Sequence, residues 1–452
     1  MMNLLSCRSH QLSIGMRSVV VSALLVVFFA TVSSSDASEN ETSSYSFDVS
    51  WAIKSKDVSS LLGDKQKLYD DYMSGCFDAV AEKQGMERAQ ISPECYIGEN
   101  DRIKQAKFQP MSMQNYTKLG YTKIRAPQKI FSKIQDFWRK HYDQNVTEWH
   151  RINSYHNMWE APPSIVNLQN ASLEGGGGEL MADIWDSSRE LLEEWTGQSL
   201  VGCSLWGIRL YHDGSILAPH IDRLPLVASA IINIAQDVDE PWPLEVYGRD
   251  GKAVNITMEP GDMVLYESHS VIHGRPFPMK GNYFANVFIH FEPIGPVVPE
   301  GSKFSKDMLP DQARKSIDDG LPPYVVKGSP WAKEYKNGNP DGWKLSNTPI
   351  HAAARNDLAT LRAHAWLDPE AFHMKDHNGW QAIHEAARHG RTEMIKLLVE
   401  NGASTTEVSN FGKGFTPLQL CVKDMGKEHP ACEYLKSAVA AQTKDDPESG
   451  EL

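Results

Sequence analysis

The sequence predicts an α+β chain of several domains: an N-terminal helical region, a central antiparallel sandwich or barrel, and a C-terminal helical repeat. Three observations carry this. The chain has 452 residues, more than one hydrophobic core usually accommodates. From Leu200 the apolar period changes from helical to two. A self-similarity with a 33-residue period sets in near Thr348, with Ile350 returning as Ile383. Hydrophobic residues at 41% and charged residues at 23% are ordinary for globular protein and exclude collagen-like, coiled-coil or wholly disordered chains. The net charge of −13 excludes a general nucleic-acid binder, which needs a basic face to displace counterions.

Taken in order, Arg8 and Arg17 precede the only long apolar run, Ser18 to Val32. The run is shorter than the ~20 residues of a bilayer span and suits a signal-peptide core, with small residues Ser33, Ser34, Ser35 and Ala37 after it. Residues 1–35 are therefore expected to be a signal peptide, addressing the chain to the secretory pathway: the endoplasmic reticulum lumen, the Golgi or the exterior. The competing expectation is an uncleaved anchor, which would make a single-pass membrane protein. Sequons at Asn40, Asn115, Asn145, Asn170 and Asn255 fit a glycoprotein. Six cysteines are too few for a disulfide scaffold. Cys76 with Cys95, and Cys421 with Cys432, could form local bridges that leave Cys203 free, or all five could stay thiols. The absence of any Cys-x-x-Cys pair excludes a zinc ribbon or thioredoxin-type site.

Residues 36–115 read as a polar spacer and a helical region running from Trp51 to about Gln105. Helices are expected at Pro127–Tyr142 and at Asp183–Trp195, the latter with Trp185, Leu191, Leu192 and Trp195 on its apolar face. Gly175 to Gly178 lacks the Gly-Lys-Ser/Thr of a phosphate loop and reads as a flexible loop. The runs SLWGIRLY, VASAIINIA, PLEVYG, AVNITM, DMVLY and YFANVFIHF are short, β-branched or aromatic, and separated by turn pairs such as Asp213-Gly214 and Pro260-Gly261. Residues 296–342 are expected to be a linker with short helices, and 441–452 a disordered acidic tail.

The repeat spans 343–440. Thr348-Pro349-Ile350-His351-Ala352-Ala353 returns as Gln381-Ala382-Ile383-His384-Glu385-Ala386, and Thr416-Pro417-Leu418 follows. With Leu397-Leu398 and Gly402-Ala403 between them, these units resemble ankyrin repeats. The resemblance implies a stack that binds a protein partner, with His351 and His384 making helix-capping hydrogen bonds.

The chemistry concentrates in Tyr211-His212-Asp213-Gly214 and the following Pro219-His220-Ile221-Asp222, then in Pro260-Gly261-Asp262 and His273-Gly274-Arg275-Pro276. On a strand, His220 and Asp222 share a face. Two imidazoles and one carboxylate are the facial set used by non-heme iron(II), which leaves coordination positions open. This order of motifs resembles the iron(II)/2-oxoglutarate dioxygenases of the prolyl 4-hydroxylase type, over roughly Tyr116 to Pro293 within a domain at 116–295. The resemblance implies a double-stranded β-helix, or jelly roll, with iron(II) held by His220, Asp222 and His273, 2-oxoglutarate as cosubstrate, and ascorbate to restore oxidised iron. No catalytic residue is implied beyond the iron centre. His269 is the rival for the distal ligand, while His212 should face away and His290 lies deep in the last strand.

One departure concerns the cosubstrate carboxylate. The family usually carries a lysine about ten residues after the distal histidine, where this chain has Tyr283. Arg275, two residues beyond His273, would share its face and could grip the carboxylate bidentately, with Lys280 and Arg209 as fallbacks. Tyr211 matches the family tyrosine that hydrogen-bonds the same group. The expected function is hydroxylation of a protein or peptide side chain, prolyl above all, with the repeats recruiting substrate or partner. Two alternatives stand beside it: an inactive jelly-roll/ankyrin binding protein, which Tyr283 favours, and a dioxygenase acting on another residue or a small molecule. No nucleic-acid partner is expected, and a membrane only if the leader persists.

Overall fold

The computed structural model describes residues 65–88, 94–148, 155–250, 253–297 and 306–442. The leader, the polar spacer with the Asn40 sequon, residues 51–64 of the expected helical region and the tail beyond 442 lie outside the described residues. Two N-terminal helices, α1 (Lys65–Gln84) and α2 (Glu94–Phe108), are joined by a Cys76–Cys95 disulfide. Then come β1 (Tyr121–Arg125), α3 (Gln128–His141), β2 (Val146–Thr147), β3 (Ser164–Asn167) and α4 (Gly178–Thr196). The strands β4 (Gln198–Ser204), β5 (Gly207–Tyr211), β6 (Leu217–His220), β7 (Ala228–Val238), β8 (Leu244–Tyr247) and β9 (Ala253–Ile256) follow. The last strands are β10 (Asp262–Glu267), β11 (His273–Arg275) and β12 (Gly281–Pro296).

All pairings are antiparallel. A large sheet has the order β1-β10-β7-β12-β5-β3-β2, with β4 also on β12, and a small sheet has the order β6-β11-β8-β9. From β5 onward the chain winds back and forth between the two sheets, so they close as a double-stranded β-helix. Side-chain alternation then divides two cores. On β7, Ala228, Ala230, Ile232 and Ile234 face outward to the helices, while Ile231 faces into the barrel with Tyr211, Val264, Tyr266 and Phe284. The outer layer exists because α3 is amphipathic: Ile130, Phe131, Ile134, Phe137, Trp138 and His141 are buried at helical spacing.

Helix α4 begins five residues earlier than expected, inside the glycine run. The run is a tight turn and not a flexible loop: a side chain at Gly176 would meet Asn170 O at 2.7 Å and the Phe137 ring at 2.9 Å, and Gly177 has φ +97°. The stretch expected as a linker carries α5 (Asp311–Asp318) and α6 (Pro330–Gly338). It folds onto the barrel through Leu321, Tyr324, Val325 and Ala332, which pack with Met113 and Val227. Helices α1 and α2 cover Ile216 and Ala218, and Arg102, ion-paired with Glu99, donates to Pro219 O.

The repeats comprise α7 (Pro349–Arg355), α8 (Leu358–Leu367), α9 (Ala382–Arg388), α10 (Thr392–Glu400) and helices Pro417–Met425 and Pro430–Gln442, the last two joined by Cys421–Cys432. Cys203 is a free thiol. Thr348 caps α7 and Thr416 caps the helix that starts at Pro417, as their motif positions imply. His384 caps as expected, its Nδ1 accepting from Gln381 N at 3.0 Å while Nε2 binds Glu407 O at 3.0 Å, which ties one unit to the next. His351 differs: its ring is exposed and only its backbone N–H takes part, donating to Thr348. The first unit rests on the barrel. Ala363 packs with Val201 and Ile294, and the buried Arg189–Asp357 ion pair (3.0 Å) joins α4 to the N-cap of α8. Among the described residues no helix is long and apolar enough to cross a membrane.

Candidate metal centre

His220 ends β6 and His273 opens β11, and the two are antiparallel partners. That register sets their rings 4.5 Å apart. Asp222 follows in the loop, held by its N–H to Ser268 O (2.9 Å) and by Gln109, which donates to Asp222 O (2.8 Å). Each imidazole is oriented from behind: His220 Nδ1 donates to Ala218 O (2.8 Å) and His273 Nδ1 to Val271 O (2.9 Å). A carbonyl only accepts, so both protons sit on Nδ1 and both Nε2 lone pairs are free. They converge on Asp222 Oδ1, at 3.4 Å and 3.8 Å, and Asp222 Oδ2 is buried without a hydrogen-bond partner.

Burial works against the Asp222 charge. The neighbouring imidazoles of His220, His273 and His290 outweigh it and hold the carboxyl well below the usual range. His273 is pushed down to about 4, by burial first and by His220 second. Near neutral pH Asp222 is therefore a carboxylate and His273 a neutral imidazole, the protonation states a divalent metal requires of them. The donor set and the orphaned carboxylate oxygen fit non-heme iron. A second cluster, Cys421, His429 and Cys432, has its two sulfurs in a disulfide and offers no thiolate.

Behind the trio, Arg275 is 1% exposed on the same small-sheet strand as His273. Its guanidinium lies against the rings of Phe284 (4.4 Å) and Trp242 (4.7 Å), themselves 5.4 Å apart, and donates to Trp242 O. No carboxylate pairs with it among the described residues, and burial brings its pKa down to about 10. Tyr211 Oη is also buried without a hydrogen-bond partner, beside the Arg209 and Arg275 guanidiniums. Both side-chain atoms of Asn286 are unpartnered on the inward face of β12. A buried cation, a free hydroxyl and an orphaned amide inside one barrel make a receptor for an anionic polar ligand.

The structure thus brings His220, Asp222, His273, Arg275 and Tyr211 together. It does not place the other expected anchors there. Tyr283 faces outward and packs on Trp138 of α3 (5.8 Å); Lys280 is exposed and paired with Glu240 (2.9 Å). Arg209 has the right face, but Glu148 engages it bidentately at 2.6 and 3.0 Å. His269 is turned away, bonded to Gln114 O (2.9 Å), and His212 bonds Ser164 Oγ (2.9 Å). Sequence reasoning missed two neighbours, Tyr155 and Trp242, and set a third, His290, aside as lying deep in the last strand. His290 Nδ1 lies 3.6 Å from Asp222 Oδ2 and 2.7 Å from Ser229 Oγ. Tyr155 stacks on His220 at 4.4 Å, and Trp242 forms a wall of the barrel. His290 was findable, since it shares alternation with Phe284, Asn286 and Phe288 on β12; Tyr155 and Trp242 carry no local signal.

Fold and site together define a jelly-roll protein with a two-histidine, one-carboxylate candidate metal centre, followed by an ankyrin-repeat stack. The family model for ankyrin repeats (3 copies) matches residues 333–407 and 350–445, so the C-terminal region carries ankyrin repeats. No curated protein matches the sequence. Among solved structures, the chain is similar to a Pseudomonas putida prolyl-4-hydroxylase (15% identity, 38% of this chain and 92% of the other, TM-score 0.31). It is also similar to a Trichoplax adhaerens prolyl hydroxylase in complex with a hypoxia inducible factor peptide fragment (12% identity, 44% and 96%, TM-score 0.30). A third is a Burkholderia pseudomallei oxidoreductase of the 2OG-Fe(II) oxygenase family (11% identity, 38% and 84%, TM-score 0.30). At such scores the likeness carries no functional weight, and the geometry of the site does.

Proposed function

We propose that the jelly roll is an iron(II)- and 2-oxoglutarate-dependent dioxygenase that hydroxylates a protein side chain, with a prolyl residue as the first candidate. The observation that carries this is the convergence of two free Nε2 atoms on Asp222 Oδ1, each imidazole fixed from behind by a backbone carbonyl. His220, Asp222 and His273 would hold iron(II), which when bound supplies oxygen activation coupled to decarboxylation of the keto-acid. The overall change is R–H + O2 + 2-oxoglutarate to R–OH + succinate + CO2. Arg275 and Tyr211 bind the far carboxylate, Arg275 gaining the anion its buried position lacks. Trp242 and Phe284 flank the guanidinium from adjacent sides and help exclude water from that ion pair. Tyr283, on which the inactive reading leans, lies outside the barrel, and the buried cation Arg275 takes the place of the lysine in this proposal. Ascorbate would serve to restore oxidised iron.

The repeats would recruit a protein partner or substrate. Secretory-pathway residence is part of the proposal; two disulfides among the described residues support it.

The test needs no substrate. The full chain is mixed with iron(II) and 2-oxoglutarate without oxygen, and the visible metal-to-keto-acid charge-transfer band is sought. A band that is absent from Asp222→Ala is the expected result. No band from wild type at saturating iron overturns the proposal.

A further inference from the structure

A cavity of about 450 Å³ lies behind the Asp222 loop, lined by the next residue, Arg223, and by none of the three candidate metal ligands. Gln109 in its lining donates to both Asp222 O and His269 O (2.8 Å each), and Arg223 directly follows Asp222. Its far side is built from segments outside the barrel: α6 supplies Trp331 and Tyr335, and the connector to the repeats supplies Lys344.

The charges lining it are unequally satisfied. Glu292 accepts from Tyr324 Oη (2.8 Å), Trp343 Nε1 (2.7 Å), Ser346 N (3.1 Å) and Ser346 Oγ (2.9 Å), and Glu334 pairs with Lys104 (3.0 Å). Both acids are therefore occupied. The two bases are not: Arg223 and Lys344 are exposed, and neither forms an ion pair among the described residues. A cavity with engaged acids, free cations and aromatic walls favours an anion on an apolar stem. It is less suited to a cation, which would have to displace the donors already on Glu292.

We infer that this cavity is a subsite for an acidic side chain, Asp or Glu, of the protein substrate. The inference rests on the proposed hydroxylation of a protein side chain, and it makes the folded connector and α6 part of substrate recognition. Arg223 would meet the carboxylate through its planar fork and Lys344 as a point charge, while Trp331 and Tyr335 cover the methylene stem.

The test is selection of a library of short random-sequence peptides on the immobilised full chain, metal-free, in wild type and in Arg223→Glu/Lys344→Glu. Both residues are exposed, so the variant should melt with wild type, and a melt checks this. With a net charge of −13, non-specific attraction would enrich basic peptides. The expected result is the opposite: Asp and Glu enriched about tenfold over Lys and Arg at one position, with the preference reversed by the charge-swapped variant. Equal enrichment of acids and bases, basic enrichment in wild type, or an acidic preference that the variant leaves unchanged each overturn the inference. Because no metal is present, these outcomes are independent of the iron reading. Acidic preference without the charge-transfer band would sink the dioxygenase proposal and leave an acidic-peptide binding site.

Discussion

Replacing Arg275 by leucine should leave the metal-free protein nearly as stable as before and abolish its response to 2-oxoglutarate. A guanidinium pKa brought down to about 10 by burial corresponds to about 3 kcal/mol of uncompensated desolvation. The two aromatic faces, at 4.4 and 4.7 Å, return about 1–2 kcal/mol each. These terms nearly cancel, so the melting temperature without ligand should move little. Ligand binding is another matter. A charge-assisted contact to the carboxylate contributes about 1.5–3 kcal/mol, so its loss weakens binding about 10- to 100-fold. At a cosubstrate concentration of about 100 Kd, wild type gains about 2.7 kcal/mol; a hundredfold weaker site gains about 0.4. At about 2 °C per kcal/mol, a ligand-induced shift of about 5 °C shrinks to about 1 °C. The assay is calorimetric melting with iron(II), with and without 2-oxoglutarate and without oxygen. A variant that melts far lower without ligand while keeping the full ligand shift would show Arg275 to be a packing residue and refute its assignment to the cosubstrate.

Asp222→Asn removes the anionic ligand and should weaken iron(II) binding by at least ~100-fold, read by equilibrium dialysis, while melting stays close to wild type. In chelator-treated protein, His273 sits at about 4 instead of its ordinary 6.5, so between those values the folded state binds fewer protons than the unfolded one. Stability should therefore fall as pH drops through 6.5 towards 4, by about 3 kcal/mol in all, and urea midpoints against pH should flatten in His273→Gln. Cys76→Ser opens the link between α1 and α2, cysteines 19 residues apart; about 3 kcal/mol of stabilisation should be lost, with faster amide exchange along both helices. Arg189→Ala leaves the buried Asp357 carboxylate without its arginine at a cost of about 3 kcal/mol, and limited proteolysis should then release the repeats before the barrel is cut.

The candidate metal ligands were legible as a short His-x-Asp motif with a distal histidine, although Asp222 lies in the loop after β6 and not on a strand; strand alternation holds for Arg275, two beyond His273 on β11. Counting further along the chain failed. Residue 283 was picked by its distance from His273, yet β12 carries register shifts between Gly281 and Tyr283 and between Ala285 and Asn286. From Phe284 the alternation through Asn286 and Phe288 to His290 is unbroken, and it places Phe284, and not Tyr283, against Arg275. Trp242 and Tyr155 reach the site only through tertiary packing, which no periodicity reports. The glycine run was misread because Gly176 is required by the closeness of Asn170 and Phe137, partners remote from any local signal. The stretch 296–342, expected as a linker with short helices, does carry α5 and α6; their packing on the barrel was not legible because the buried Leu321, Tyr324 and Val325 are too few and irregular to show a period.

The repeat stack leans on the barrel at its first unit, through Ala363 and the Arg189–Asp357 pair. Mechanically it is a cantilever, clamped at one end. Units gained or lost at the far end would change its reach without disturbing the root, so an arm of any length would deliver its cargo to an unaltered metal centre. A unit inserted at the root would break the clamp, and would also displace Lys344 and Ser346, which lie just ahead of α7. Variation in the number of repeats should therefore be tolerated at one end of the array and penalised at the other.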